Sequence, residues 1–327
     1  MKTIGVFLIV VALIGGMIGC APGPIEIRDW YDLHAIRNDL RGSYILMNDL
    51  DSASAGYTEL ASLTANGGRG WEPIGTPDDG FTGRFNGQGY EIRDLFMNRP
   101  DEDYVGLFAH ISWIRYIDNV GVVENVGLVN AEVSASAEVG TLVGHNAGIV
   151  NNSYSSGSVT GDSRVGGLVG WNQATLSNSY SNCSVTGSTR VGGLTGDNWY
   201  YRGTVSNSYS TGGVTGSTRV GGLVGINYYG SVTNSYSVGR VTGSSQVGGL
   251  VGYNKGTVSN SFWDIQTSGQ ATSDGGTVKT TIEMKSIATF SAAGWDIIAV
   301  AGPGTRNTAY TWNIVDGQTH PLLSWEL

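Results

Sequence analysis

Between residues 139 and 270 the chain repeats itself. "VGGLVGWNQATLSNSYSNCSVTGSTR" begins at Val165, "VGGLTGDNWYYRGTVSNSYSTGGVTGSTR" at Val191 and "VGGLVGINYYGSVTNSYSVGRVTGSSQ" at Val220. Aligned on the Val-Gly pair, units start at Val105, Val139, Val165, Val191, Val220 and Val247, and the intervals from Val139 onward are 26, 26, 29 and 27 residues. A unit this short cannot bury an apolar face alone. It must stack on copies of itself, so a fixed period of this size specifies an elongated solenoid.

Each unit holds three short strand-like pieces. In the unit that starts at Val191 they are "VGGLTG", "TVSNSYS" and "GVTG", separated by Asn- and Gly-rich turns and without any helix-length apolar period. Three strands in about 26 residues make one coil of a parallel β-helix. The predicted fold is all-β, a right-handed parallel β-helix of such coils with small helical caps. The hand follows from the crossover rule for parallel strands.

Alternation along the middle strand predicts the faces. Val205, Asn207 and Tyr209 are expected inside, with Ser206, Ser208 and Ser210 outside. The inner slots recur as Val150-Asn152-Tyr154, Leu176-Asn178-Tyr180, Val232-Asn234-Tyr236 and Val258-Asn260-Phe262. They would form an aliphatic ladder, a buried amide ladder and an aromatic stack. A second Asn column, Asn146, Asn172, Asn198, Asn227 and Asn254, is expected to serve turns, where Asn tolerates left-handed backbone.

The units resemble GLUG repeats, whose Gly-Gly-Leu-Val-Gly signature stands at 166–170, 221–225 and 248–252, with Gly192-Gly193-Leu194-Thr195-Gly196 a near copy. The resemblance covers residues 105–270, although the first unit is longer and degenerate. It implies repeats of exported surface proteins, adhesin-like ones among them, and supports the right-handed β-helix. It brings no catalytic activity. Some proteins with such repeats are immunoglobulin-cleaving metallopeptidases, but their His-Glu-x-x-His motif is missing, because Ala35 follows His34 and the other histidines stand apart at 110, 145 and 320.

Four segments result. Residues 1–19, with Lys2 before an apolar run from Ile4 to Ile14, read as a signal peptide. The following Met17-Ile18-Gly19-Cys20 resembles a bacterial-type lipobox, which implies a lipid anchor on Cys20 and an exported, envelope or cell-surface location. Met17 stands where Leu is commoner, so secretion without lipid is the alternative. Residues 20–104 form an N-terminal cap and first coils, with a short helix from Asp29 to Leu40, and residues 105–270 form the repeat array. Residues 271–327 form a C-terminal cap in which "TTIEMKSIATF" reads as one helix. With Cys20 lipidated, Cys183 has no partner and no disulfide framework exists.

The chain carries a net charge of −9 and no basic tract, which argues against a nucleic-acid partner. Within residues 139–270 the balance reverses, with six basic residues against three acidic ones, Asp162, Asp197 and Asp264. These acids fall in distant slots, so no carboxylate pair for polysaccharide cleavage is expected on one stacked face. Asp49, Asp51, Asp101, Glu102 and Asp103 read as solvated acidic turns, with calcium binding the alternative. Neither a metal nor a cofactor is expected.

Two columns are candidates for recognition. Arg164, Arg190 and Arg219, continued by Gln246, would form a column of like charge that is either a solvated edge or an anion or acidic-glycan track. The loop after the first strand varies most and is aromatic, with Trp171, then Trp199, Tyr200 and Tyr201, then Tyr228 and Tyr229, then Tyr253. Variable loops on a constant scaffold are where solenoids place recognition. The expected function is therefore binding or adhesion to a glycan or another surface protein, without enzymatic activity. A polysaccharide-acting enzyme and a non-binding envelope spacer are the alternatives.

Overall fold

The computed structural model describes residues 23–114 and 119–326, so the signal and Cys20 lie outside the described residues. The regular structure of the described chain is nearly all β, and most of its strands lie in three long parallel sheets of nine, thirteen and six strands. One coil runs from the long strand Tyr154–Gly166 through Val169–Asn172 and Thr175–Ser177 to the next long strand, Tyr180–Gly192. Equivalent residues of successive units face each other in register, Val139 on Val165 and Val165 on Val191, then Val191 on Val220 and Val220 on Val247. The molecule is a parallel β-helix, and the sequence period is its coil.

The Gly-Gly-Leu signature has a steric cause. A Cβ on Gly193 would lie 2.2 Å from both Gly222 O and the Oγ of Ser210, and one on Gly167 would lie 2.0 Å from the Oγ of Ser181. The coil is too narrow at this corner for any side chain. The leucines that follow, Leu168, Leu194, Leu223 and Leu250, are fully buried and fill the interior with Val165, Val191 and Val220. Burying such side chains contributes about 1.5–3 kcal/mol each.

Three face assignments are corrected by the structure. Val150, Leu176, Val205 and Val232 are buried inside as expected. The next column is not an internal amide ladder. Asn152, Asn178, Asn207, Asn234 and Asn260 sit at the coil corner with φ of 47 to 48°. A left-handed residue ends the pleat, and the count of alternating faces restarts after it. The serines after the corner therefore point inward, with Ser179, Ser181, Ser208 and Ser210 fully buried, while Ser206 before it stays on the outer side as expected. They form their own ladder, since the Ser153, Ser179, Ser208 and Ser235 amides each donate to the hydroxyl of the next coil's serine at 3.2 Å.

The tyrosines consequently point out. Tyr154, Tyr180, Tyr209 and Tyr236 stack at 4.8 to 4.9 Å along the outer face. Tyr209, Tyr236 and Phe262 belong to a second apolar cluster with Met284, Phe290, Trp295, Trp312 and Leu323, apart from the coil core. The true internal amide ladder is the second Asn column. Asn146 donates to Asn172, Asn172 to Asn198, Asn198 to Asn227 and Asn227 to Asn254, each at 2.8 Å.

At the N-terminal end, the helix Trp30–Ala35 is capped by Asp29, whose side chain accepts from the Asp32 amide. A 3₁₀ turn, Ile36–Asn38, follows it in place of a continuous helix to Leu40. Trp30, Leu33 and Ile36 are fully buried against the first coils, closing that end of the core. At the other end, the last strand of the six-stranded sheet is covered by residues 272–274, with Gly249 N donating to Thr272 O and Asp274 N to Val251 O. The expected single C-terminal helix is two, Thr281–Met284 and Ile287–Ala292, because Ser286 between them is extended. These helices and the sheet of Ile297–Ala299, Trp312–Ile314 and Leu322–Leu323 lie along the flank, over the tyrosine column.

Candidate functional site

Strand register sorts the predicted aromatic strip into two columns. His110, His145, Trp171, Asp197, Ile226 and Tyr253 share one slot of the six-stranded sheet. Trp199 and Tyr228 share the slot beyond the asparagine ladder. Trp171 lies flat on His145 at 4.3 Å, and His145 on His110 at 4.5 Å. Histidines that stood apart in sequence thus meet in one stack. Burial and the neighbouring His110 push the His145 imidazole down to about 3, so it is neutral. Tyr253 is three rungs beyond Trp171, separated by Asp197 and Ile226.

Five rings of the strip come together. Trp199 stacks on Tyr228 at 4.3 Å, and Tyr228 meets Tyr229 edge-on at 4.4 Å. Tyr201 lies over Tyr229 at 5.6 Å and touches Tyr200 at 5.3 Å. Tyr200, Tyr201 and Tyr229 remain 56, 75 and 47% exposed, so this cluster faces solvent rather than a cap. Tyr200 and Tyr229 hold φ of 78° and 61°, a backbone conformation that bulky residues adopt at a cost of about 1–3 kcal/mol. The loops present aromatic faces outward against their own conformational preference.

The arginine column is not a run of free like charges. Arg164, Arg190 and Arg219 occupy one left-handed corner slot with Glu138 and Gln246. Arg164 pairs with Glu138, and both Arg164 and Arg190 reach Asp197, at 3.3 and 3.2 Å. Asp197 is fully buried, and its desolvation outweighs the two guanidinium groups, raising it to about 6. Arg219 donates to Gln246 at 3.1 Å and lies 5.4 Å from the Tyr253 ring. The sequence reading missed Asp197 as their partner because the acid stands in a neighbouring strand of the coil.

A cleft of about 830 Å³ borders the aromatic cluster. It is lined by Trp113 and Val120, by Trp199, Tyr200 and Arg202, and by Gln173 and Thr175, with Arg202 lying over the Trp113 ring. Trp113 comes from the two-residue strand Trp113–Ile114, paired antiparallel with Asn119–Val120 in the extra length of the first unit. Sequence reading passed over Trp113 and Arg202. The signal was length, since the first unit and the 29-residue fourth unit are the two long ones and their insertions meet here.

A second cleft, of about 540 Å³, lies where the tyrosine column emerges beside Trp325. Glu91 and Glu326, far apart in sequence, both line it. Glu326 accepts from Tyr209 Oη at 2.8 Å and from the Leu323 amide at 2.5 Å, and burial raises it to about 7. Glu91 is held by Arg93 and by the Tyr154 hydroxyl. Elsewhere, Asp101, Glu102 and Asp103 lie in the strand Phe96–Val105 rather than in a turn. Asp51 accepts from the Ala53 and Ser54 amides, and Glu102 pairs with Arg69 and Arg99. Among the described residues no three His, Cys, Asp or Glu side chains group as metal ligands, and no helix is long and apolar enough to cross a membrane.

Residues 216–242 match the family model described as the GLUG motif. Over 136 residues, 41% of this chain, the sequence is 35% identical to a protein of Evansella cellulosilytica provisionally named as a Gly-rich membrane protein. Over 145 residues, 43% of the chain, it is 35% identical to halomucin of Haloquadratum walsbyi. The matched stretches span only 14% and 2% of those relatives. The fold is similar to a crystal structure of a Bacteroides ovatus protein provisionally named as an immunoglobulin A1 protease, with a TM-score of 0.62, 21% identity and 93% of each chain covered.

Proposed function

We propose that this chain, which carries GLUG repeats on a parallel β-helix, is an exported, envelope-associated protein that binds a glycan through the loops of its fourth and fifth units. The observation that carries the reading is the solvent-facing cluster of Trp199, Tyr200, Tyr201, Tyr228 and Tyr229 beside an open cleft. Flat aromatic faces with polar tips match the apolar faces and hydroxyl edges of sugar rings. Trp171 and Tyr253 flank the cluster in the adjacent slot and would extend the contact area. The envelope location is supported by the membrane wording in one relative's name and by the signal-like residues 1–20.

Replacing Trp199, Tyr200 and Tyr201 together by Ala should abolish retention in affinity electrophoresis through polysaccharide gels while leaving the melting temperature within a few degrees of the parent. Unchanged retention would remove the cluster from the site. Anchoring at Cys20 is tested by Cys20→Ser, which should move the protein from the membrane pellet to the soluble fraction. No change in fractionation would remove the lipid anchor.

We infer no enzymatic step from the aromatic cluster. One observation favours the alternative of a polysaccharide-acting enzyme, the presence of both Glu91 and Glu326 in the lining of the second cleft. Both carboxyl groups are engaged within the fold, Glu326 tying the C-terminal segment to Tyr209 and Glu91 held by Tyr154 and Arg93, which favours a structural role. Release of reducing ends from a polysaccharide panel, lost in Glu326→Gln, would reverse that preference.

A further inference from the structure

We propose that the cleft between Trp113 and Trp199 takes a carboxylated sugar residue, a uronic acid or similar, with Arg202 as the group that holds its carboxylate. The proposal rests on the glycan reading above and names the class of sugar.

The arginines of the repeat differ in how their charge is answered. Arg164 and Arg190 share Asp197, and Arg164 also holds Glu138. Arg202 stands on the cleft wall, exposed, and among the described residues no carboxylate pairs with it. Its guanidinium carbon lies over the Trp113 ring, 4.2 Å from the centroid. Contact with the ring restrains the group, and among the described residues none accepts from its N–H donors, which suits a grip on a carboxylate through two parallel hydrogen bonds.

The surroundings suit the rest of a sugar. Trp199 lines the cleft with an aromatic ring, and the Thr175 hydroxyl and the Gln173 amide, whose oxygen bonds His145, offer polar groups for sugar hydroxyls. The volume of about 830 Å³ falls within the range of small-ligand sites, about 300–1,000 Å³. The location has a further cause in the repeat array. The chain is acidic overall, yet residues 139–270 carry a basic excess, so a polyanion meets its attractive field on the coils. The column of Arg164 and Arg190, which sequence alone would nominate as the anion track, is already neutralised from within the fold.

The test uses the chain from residue 20 onward and fluorescently labelled oligogalacturonate, oligomannuronate and hyaluronan tetrasaccharides, each beside its carboxyl-reduced neutral counterpart. The parent should bind at least one acidic probe, more weakly at high salt, and should bind the neutral counterpart less well. Arg202→Gln should lose about tenfold or more for that acidic probe and leave affinity for the neutral one unchanged. Trp199→Ala should weaken both. A parent that binds acidic and neutral probes equally, or an Arg202→Gln variant that keeps the acid preference, overturns the carboxylate assignment while the glycan reading stands. A parent that binds none of the probes overturns both.

Discussion

Asparagine plays two opposite parts in each coil, and the chemistry of the residue explains both. Asn172 is fully buried, accepts from Asn146, and donates to Asn198 Oδ1, Ala174 O and Thr204 O at 2.8 to 3.2 Å. Asn178 is half-buried at φ 48°, where a side chain other than Asn or Gly is strained, and its amide reaches Asn151 Oδ1 at 2.9 Å. Asn172→Ala should therefore destabilise by about 2–4 kcal/mol, since several buried partners are left unsatisfied. Asn178→Gly should stay within about 1 kcal/mol, because glycine takes the left-handed conformation without a Cβ clash. Urea denaturation of the two variants reads the difference, and equal losses would mean that the columns are assigned the wrong way round. Both columns were visible in the sequence as repeated Asn. Which one was buried was not, since both follow a strand and both fit a turn.

At the scale of the strand, face assignment depends on where the extended backbone is interrupted. Counting by twos placed Val205 correctly and failed two residues later, because Asn207 turns the chain out of the pleat. Beyond that point the serines took the narrow inside and the tyrosines the outside. The outer column is unequally covered, with Tyr154 half-buried and Tyr236 fully buried. Tyr236 packs against Trp312 and Phe290 and donates to Pro321 O at 2.5 Å. Tyr236→Ala should then cost about 3–5 kcal/mol, while Tyr154→Ala, at the open end of the column, should cost much less. Ser208→Ala is not silent either. It removes the acceptor of the Ser179 amide and a donor to Ser206 O, about 1–2 kcal/mol by denaturant titration. Similar small losses from all three would contradict the placement of the two faces.

For the whole molecule, the C-terminal segment is a lateral buttress as much as an end cover. Rungs from Tyr154 to Phe262 present aromatic rings that the C-terminal segment covers, and Trp325 bonds through its Nε1 to Asn178 O. A chain ended after Lys279 keeps the coils and the strand Thr277–Lys279 but uncovers Tyr209, Tyr236 and Phe262. It should keep a β-type circular dichroism spectrum, bind a hydrophobic dye strongly and aggregate at lower protein concentration, as expected of a large exposed apolar patch. A truncated chain that stays dye-free and soluble would show that the flank is not where the segment contributes.

The period of about 26 residues, the three-strand coil, the internal Val and Leu columns and the aromatic loop of units four and five were legible in the sequence alone. Each follows from local chemistry repeated at a fixed interval. Stacking places every copy in register with the last, and one unit therefore predicts its neighbours. What the tertiary structure decided is whatever joins residues that share no period. The insertion at Trp113 meets the insertion at Arg202, Asp197 neutralises Arg164 and Arg190, and the tail at Trp325 covers tyrosines more than a hundred residues earlier. The sequence marks these places only as breaks in its pattern. Their partners are set by the coiling of the backbone, which brings distant coil edges to one face.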